Sequence, residues 1–236
     1  MASILTFAKS CQNHGLNVGD EIKAISDLFR SAVHIAAAVP RLADKEIYPE
    51  EWAYIRHAIP RRRAEFATAR ILAREALAAI GAPPVALVPK ANRAPAWPPG
   101  TVGSISHTDG YCAVVVGRAP PLYSVGLDVE NLRVVDASVA ALILTNREQA
   151  WLRGQPETSR MGLVLLIFSC KEAYYKSQYP ISNGFLDFQD VELELDLGHG
   201  EFEARVLKAG WPARVARLPG RFAIQSDKLF CGVEVD

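Results

Sequence analysis

Leu163-Val164-Leu165-Leu166-Ile167-Phe168-Ser169-Cys170-Lys171-Glu172-Ala173-Tyr174-Tyr175-Lys176 begins as an apolar run and ends with an acid set between two bases. It reads as a helix. Ser169, Glu172 and Lys176 fall on one face, while Leu163 to Ile167, Phe168 and Tyr175 supply the buried side. Glu followed four residues later by Lys is also what a solvated helix surface carries, a pair of small energetic value. Its meaning therefore depends on what the rest of the chain brings to it.

Some forty residues upstream, Ser124 to Glu130 alternates as a strand. Val125, Leu127 and Val129 face one way, and Gly126, Asp128 and Glu130 face the other. Two carboxylates on one strand face repel each other unless a cation sits between them, and the glycine beside them is expected to leave open space. The same pattern also suits the exposed edge of an antiparallel sheet.

Further out, Arg62 to Ile80 repeats apolar residues at helical steps (Phe66, Ala69, Ala73, Ala76, Leu77, Ile80), and Gly81 stands ready as its C-terminal cap. Arg62, Arg63, Arg70 and Arg74 lie on the other face. That is either a solvated surface or an anion site, since the free N–H groups of a helix N-terminus would add to the guanidinium donors. Pro49, followed by Glu50 and Glu51, starts a shorter helix to about His57.

The Pro-rich stretch from Pro83 to Gly103, which holds Lys90, Asn92 and Arg93, reads as a long loop. Val102 to Ser106 and Tyr111 to Gly117 read as strands joined by His107-Thr108-Asp109-Gly110. Ser31 to Val39 is a further strand, 20–30 a possible short helix, and 136–153 helical. Phe185 to Leu197, Glu201 to Leu207 and Arg221 to Val235 alternate as strands. No internal repeat shows. Helices early in each half with strands in runs give an α+β chain. Arg118-Ala119-Pro120-Pro121 is the expected boundary between an N-terminal half, residues 1–119, and a C-terminal half, residues 120–236.

Composition narrows the partners. The 236 residues are 50% hydrophobic, enough for a real core. Lys and Arg number 26 against 26 Asp and Glu, so no global field draws the protein to nucleic acid or to an anionic membrane. Cys11, Cys112, Cys170 and Cys231 are scattered without metal-ligand spacing, which argues against a zinc site or a disulfide framework and for a reducing compartment. No signal-peptide pattern and no apolar stretch approaching a membrane span is evident, and a cytoplasmic location is expected.

Three carboxylates, two lysines, a basic helix and a Lys/Arg loop suit Mg²⁺-dependent chemistry on a phosphorylated substrate. A metal-dependent phosphohydrolase of a nucleotide could use the same groups. So could a non-catalytic binding module.

Gly126-Leu127-Asp128-Val129-Glu130, followed by Phe168 to Lys176, resembles the paired signature of the 4′-phosphopantetheinyl transferases. Arg62-Arg63-Ala64-Glu65-Phe66, continuing to Arg70, and Val102-Gly103-Ser104-Ile105-Ser106-His107 are similar to two further motifs of the Sfp-type branch, especially its enterobactin synthetase component D-like subgroup. The match spans roughly Ile47 to Lys176; Phe168 stands where many members have Trp.

The resemblance implies two similar halves, each a small antiparallel sheet with a helix on it, with coenzyme A in the cleft between them. It implies transfer of the phosphopantetheine arm of coenzyme A to a serine of an apo acyl, peptidyl or aryl carrier protein, releasing adenosine 3′,5′-bisphosphate. Asp128, Glu130 and Glu172 would hold Mg²⁺, with Mn²⁺ as an alternative. Glu172 would also be the base. Lys176 would steady the leaving phosphate and Lys171 the pyrophosphate. Arg62, Arg70, Lys90, Arg93, Ser106 and His107 would bind the nucleotide end. A monomer is expected.

Overall fold

In the computed structural model, residues 18–90, 94–133, 135 and 137–236 are described. Two antiparallel sheets form the frame. The first takes β1 (Val33–Ala38), β2 (Thr101–Thr108) and β3 (Tyr111–Arg118) in the order β1-β3-β2. The second takes β4 (Ser124–Asn131), β5 (Val191–Asp196), β6 (Glu201–Val206), β7 (Arg217–Gln225) and β8 (Lys228–Val235) in the order β4-β8-β7-β6-β5. The mixed α+β expectation is met.

The central strand β3 is buried from Tyr111 to Gly117, with only Arg118 at its end exposed, because both its faces are covered. Tyr111, Ala113 and Val115 pack into a core shared with Val125, Leu127, Val129 and Phe230 of the second sheet. Cys112, Val114 and Val116 pack under helix α3 (Pro60–Ala79), against Ala69, Leu72, Ala73, Ala76 and Leu77. Gly81 caps that helix with φ +69°, and the Ala82 N–H reaches back to the Leu77 carbonyl at 2.9 Å. Helix α1 (Val18–Ser26) contributes Ile25 to the core shared by the sheets, and α2 (Pro49–Ile55) packs beside the start of α3.

The opening stretch belongs to α6 (Glu157–Ser182), a helix of 26 residues that runs through Pro180 and so extends well past the expected end at Lys176. Its apolar side fills the largest core, against Leu193, Phe202, Phe222, Leu229 and Val233 of the second sheet. The expected helix over 136–153 is two, α4 (Ala137–Ile143) and α5 (Asn146–Arg153). Thr145 starts the second with a capping box: its hydroxyl accepts from the Glu148 N–H at 3.2 Å, and the Glu148 carboxylate accepts from the Thr145 N–H at 2.8 Å. The expected strand from Phe185 begins only at Val191, after a 3₁₀ turn at Phe188–Asp190, and a short helix α7 (Ala213–Ala216) precedes β7. No helix among the described residues is long and apolar enough to cross a membrane.

Strands β2 and β4 meet edge to edge without a backbone ladder between them. Ser104, Ser106 and Thr108 of β2 instead turn their hydroxyls to accept the N–H groups of Leu127 (3.1 Å), Val129 (3.1 Å) and Asn131 (3.4 Å). A hydroxyl on every second residue thus pairs edge donors that burial would otherwise leave unsatisfied.

Candidate active site

The seam between β2 and β4 brings several of the expected site residues together, and Gly126 fixes how α6 lies over it. A Cβ on Gly126 would come 1.9 Å from the Ala173 carbonyl oxygen and 2.8 Å from the Ser177 nitrogen. The expected open space beside the carboxylates is therefore filled by the backbone of α6. That contact turns Ser169 and Lys176 of the helix toward Asp128.

Asp128 is 4% exposed and its carboxylate is held from three directions. Oδ1 accepts from Lys176 Nζ at 2.7 Å and from Ser106 Oγ at 3.0 Å, while Oδ2 accepts from Ser169 Oγ at 2.7 Å. Lys176 also donates to the Leu127 carbonyl (3.1 Å) and to Ser106 Oγ (3.2 Å).

Glu130 and Glu172 complete the carboxylate group. Burial first, and then the Asp128 charge, pushes Glu130 up to about 7, with Glu172 adding and Arg133 and Lys176 opposing. Burial also raises Glu172; Lys176 counters it and Asp128 reinforces it. Among the described residues no three potential ligands already converge on one metal-sized point. The donor chemistry nonetheless fits a hard divalent cation: oxygen ligands only, partly desolvated, and carboxylates that raise one another's proton affinity until a positive charge joins them.

Across the seam lies the basic group. Arg62, in the first turn of α3, donates from Nη1 to His107 Nε2 at 2.9 Å. The ring must then be neutral with its proton on Nδ1, which faces Glu65 Oε2 at 3.8 Å. Burial, helped by the charges of Arg62 and Lys176, holds His107 below the ordinary imidazole value. His107 lies within β2 rather than in the turn after it, next in the chain to Ser106, so the basic group adjoins Asp128.

Arg70 is 5% exposed; its Nε donates to the Leu87 carbonyl at 2.7 Å and its guanidinium lies 4.0 Å from the centre of the Phe66 ring. Burial lowers its pKa to about 10, which leaves it charged at neutral pH. Arg74, on the same helix, is bound to buried Glu51 at 2.9 Å. Lys90 is exposed on the loop pinned by the Pro89–Pro95 bridge. Arg93 lies outside the described residues.

Two expected site residues have their polar groups committed to the protein itself, Lys171 away from Asp128 and Ser106 beside it. Lys171, expected at the pyrophosphate, is 2% exposed and gives all three ammonium protons to protein: Glu148 Oε2 at 2.7 Å, and the carbonyls of Ile143 and Phe188 at 2.8 Å each. It ties α6 to the α4–α5 junction and the 3₁₀ turn. Ser106, expected at coenzyme A, spends its hydroxyl on Asp128, Val129 and Lys176. Ser169, given no role by the sequence, holds Asp128. Its signal was its place on the face shared with Glu172 and Lys176.

Beside Glu172 opens a cavity of about 190 Å³ walled by Tyr175, Phe185, Leu186, Phe188 and Val191. Tyr175 and Phe185 meet edge to face there at 6.3 Å. Most of its wall is apolar, with Glu172, Asp187 and the largely buried Lys171 as its charged lining, which suits an uncharged chain presented to Glu172.

Comparison with known proteins places the chain in a family. The 4′-phosphopantetheinyl transferase N-terminal domain matches residues 50–117, and the 4′-phosphopantetheinyl transferase superfamily matches residues 124–224. The chain is 38% identical over 175 residues to 4′-phosphopantetheinyl transferase Svp of Streptomyces mobaraensis, covering 74% of this chain and 71% of that one. It is 32% identical over 193 residues to 4′-phosphopantetheinyl transferase Npt of Nocardia iowensis, covering 79% and 86%. Enterobactin synthase component D of Escherichia coli K12 is 33% identical over 143 residues, 59% of this chain and 66% of that one. With both halves of the chain matched and the paired motifs standing on β4 and α6, the protein belongs to the 4′-phosphopantetheinyl transferase superfamily.

Proposed function

We propose that this protein transfers the 4′-phosphopantetheine arm of coenzyme A to a serine hydroxyl of an apo acyl, peptidyl or aryl carrier protein, releasing adenosine 3′,5′-bisphosphate. The observation that carries the reading is the seam itself. A carboxylate and lysine site on β4 and α6 adjoins an Arg62–His107 pair on α3 and β2, so a nucleotide end and a reacting pyrophosphate have adjacent homes. In this reading residues 1–119 supply the nucleotide grip and residues 120–236 the reacting groups.

Asp128, Glu130 and Glu172 would hold Mg²⁺ or Mn²⁺, which would neutralise charge on the pyrophosphate when bound. Glu172 takes the proton of the carrier serine, a poor nucleophile without a base. The serine oxygen bonds to the phosphorus that carries the pantetheine arm, and the bond from that phosphorus to the bridging oxygen breaks. Adenosine 3′,5′-bisphosphate leaves with the bridging oxygen. Lys176 supplies positive charge beside the leaving phosphate. Arg62 and Arg70 meet the nucleotide phosphates with charge-assisted donors, and neutral His107 offers its Nδ1–H. The largely apolar cavity beside Glu172 receives the arm. Coenzyme A as donor and buried reduced thiols suit a cytoplasmic setting.

The test is incubation with coenzyme A, Mg²⁺ and a panel of apo carrier proteins, read by mass spectrometry. A carrier bearing phosphopantetheine on serine is expected, with the product lost in Glu172→Ala. Cleaved coenzyme A with unmodified carriers would make the protein a phosphohydrolase instead.

A further inference from the structure

We propose that Ser169 is a positioning residue that keeps one lone pair of Asp128 open to the divalent cation; this rests on the reading of Asp128 as a metal ligand. A carboxylate offers about four lone-pair sites, two on each oxygen. On Oδ1 both are taken, by Lys176 Nζ at 2.7 Å and Ser106 Oγ at 3.0 Å. On Oδ2 Ser169 Oγ takes one at 2.7 Å, and among the described residues none donates to the other.

Ser169 is itself unusual. A serine inside a helix commonly turns its hydroxyl to a carbonyl one turn back or out to water. Ser169 is fully buried, at 0% exposure, and sends its hydroxyl across to the neighbouring strand. Alanine would meet the packing need without the cost of burying a hydroxyl, so the group stands there for its hydrogen bond.

Its effect is on rotation of the carboxylate. Lys176 and Ser106 both pull on Oδ1. Without a donor on Oδ2, the carboxylate can turn until Lys176 bridges both oxygens, and the open lone pair is then spent on an ammonium proton. Ser169 resists that turn from the opposite side. The device lies on the helix face that also carries Glu172, so the residue that orients one cation ligand is rigidly linked to another.

The experiment compares wild type with Ser169→Ala, Ser169→Thr and Asp128→Asn by electron paramagnetic resonance of free Mn²⁺ in the presence of coenzyme A. Loss of an orienting partner commonly weakens a metal site about 10- to 100-fold, and that rise in Kd is expected for Ser169→Ala, with Ser169→Thr close to wild type. The same variant should regain turnover as Mg²⁺ is raised, which a defect of folding alone would not do. Ser169→Cys, close in size but a weak donor, repeats the test if the alanine loosens α6. Wild-type Mn²⁺ affinity in Ser169→Ala and Ser169→Cys, with Asp128→Asn weakened, overturns the proposal and leaves the metal reading intact. Equal Mn²⁺ binding by wild type and Asp128→Asn overturns both.

Discussion

Replacing Lys171 with methionine separates a lysine that holds the fold from one that touches the substrate. Methionine keeps much of the side-chain volume but removes the charge and three donors. The ammonium and its partner Glu148 are 2% and 3% exposed, so neither is screened by water. Glu148 also accepts the N–H groups of Thr145 and Leu193, each at 2.8 Å, and cannot leave the interior without uncapping α5 and releasing β5. The substitution therefore strands a buried carboxylate, and breaking such a pair from one side costs roughly 3–5 kcal/mol. In a chain of this size each kcal/mol moves the Tm by about 2–4 °C, so a drop on the order of 6–20 °C is expected by calorimetry or circular dichroism. Lys171→Met with Glu148→Gln should lose less than the sum of the two single changes, because the second removes the stranded charge. Well below its Tm, Lys171→Met should transfer phosphopantetheine within a few-fold of wild type. A Tm within 2 °C of wild type, coupled with loss of about 100-fold or more in transfer, would refute this assignment and return Lys171 to the pyrophosphate.

Gly126→Ala should shift α6 against β4, since its Cβ would meet backbone atoms that cannot swing aside; a destabilisation of about 1–3 kcal/mol is expected by chemical denaturation, together with loss of transfer, and an unchanged midpoint would contradict the contact. His107 should titrate below the ordinary imidazole value of about 6.5 by NMR. Because the folded value of this base is depressed, its contribution to stability is present above the unfolded pKa and is lost as pH falls toward the folded one. Arg62→Ala, removing a charge that lowers the value, should raise it; a ring that titrates at 6.5 or above in the wild type would rule out the neutral acceptor. By isothermal calorimetry, Arg62→Ala should weaken coenzyme A by about 10- to 100-fold and leave the analogue lacking the 3′-phosphate nearly unaffected, and equal losses on both would remove Arg62 from that phosphate.

The amino-acid sequence by itself determined most of the elements and the strand face that Asp128 and Glu130 share, because both depend on local periodicity. The period of α3, the glycine that caps it, and the alternation of Val125, Leu127 and Val129 against Gly126, Asp128 and Glu130 all survive in the structure. The break between α4 and α5 was equally local, written in Thr145 and Glu148, and is visible to anyone who looks for the capping pair.

Tertiary structure decided what each polar group does. Lys171 and Lys176 are chemically alike, but five residues along a helix turn them about 140° apart, and only the packing shows that one side meets Asp128 while the other is closed over by Glu148 and two carbonyls. Ser104, Ser106 and Thr108 spell an alternation with no stated purpose until β4 is set beside them from the other sheet. Ser169 waited on the same event: a hydroxyl in a helix acquires its role from the strand that Gly126 allows to come within reach, a contact between residues far apart in the chain that no local pattern encodes.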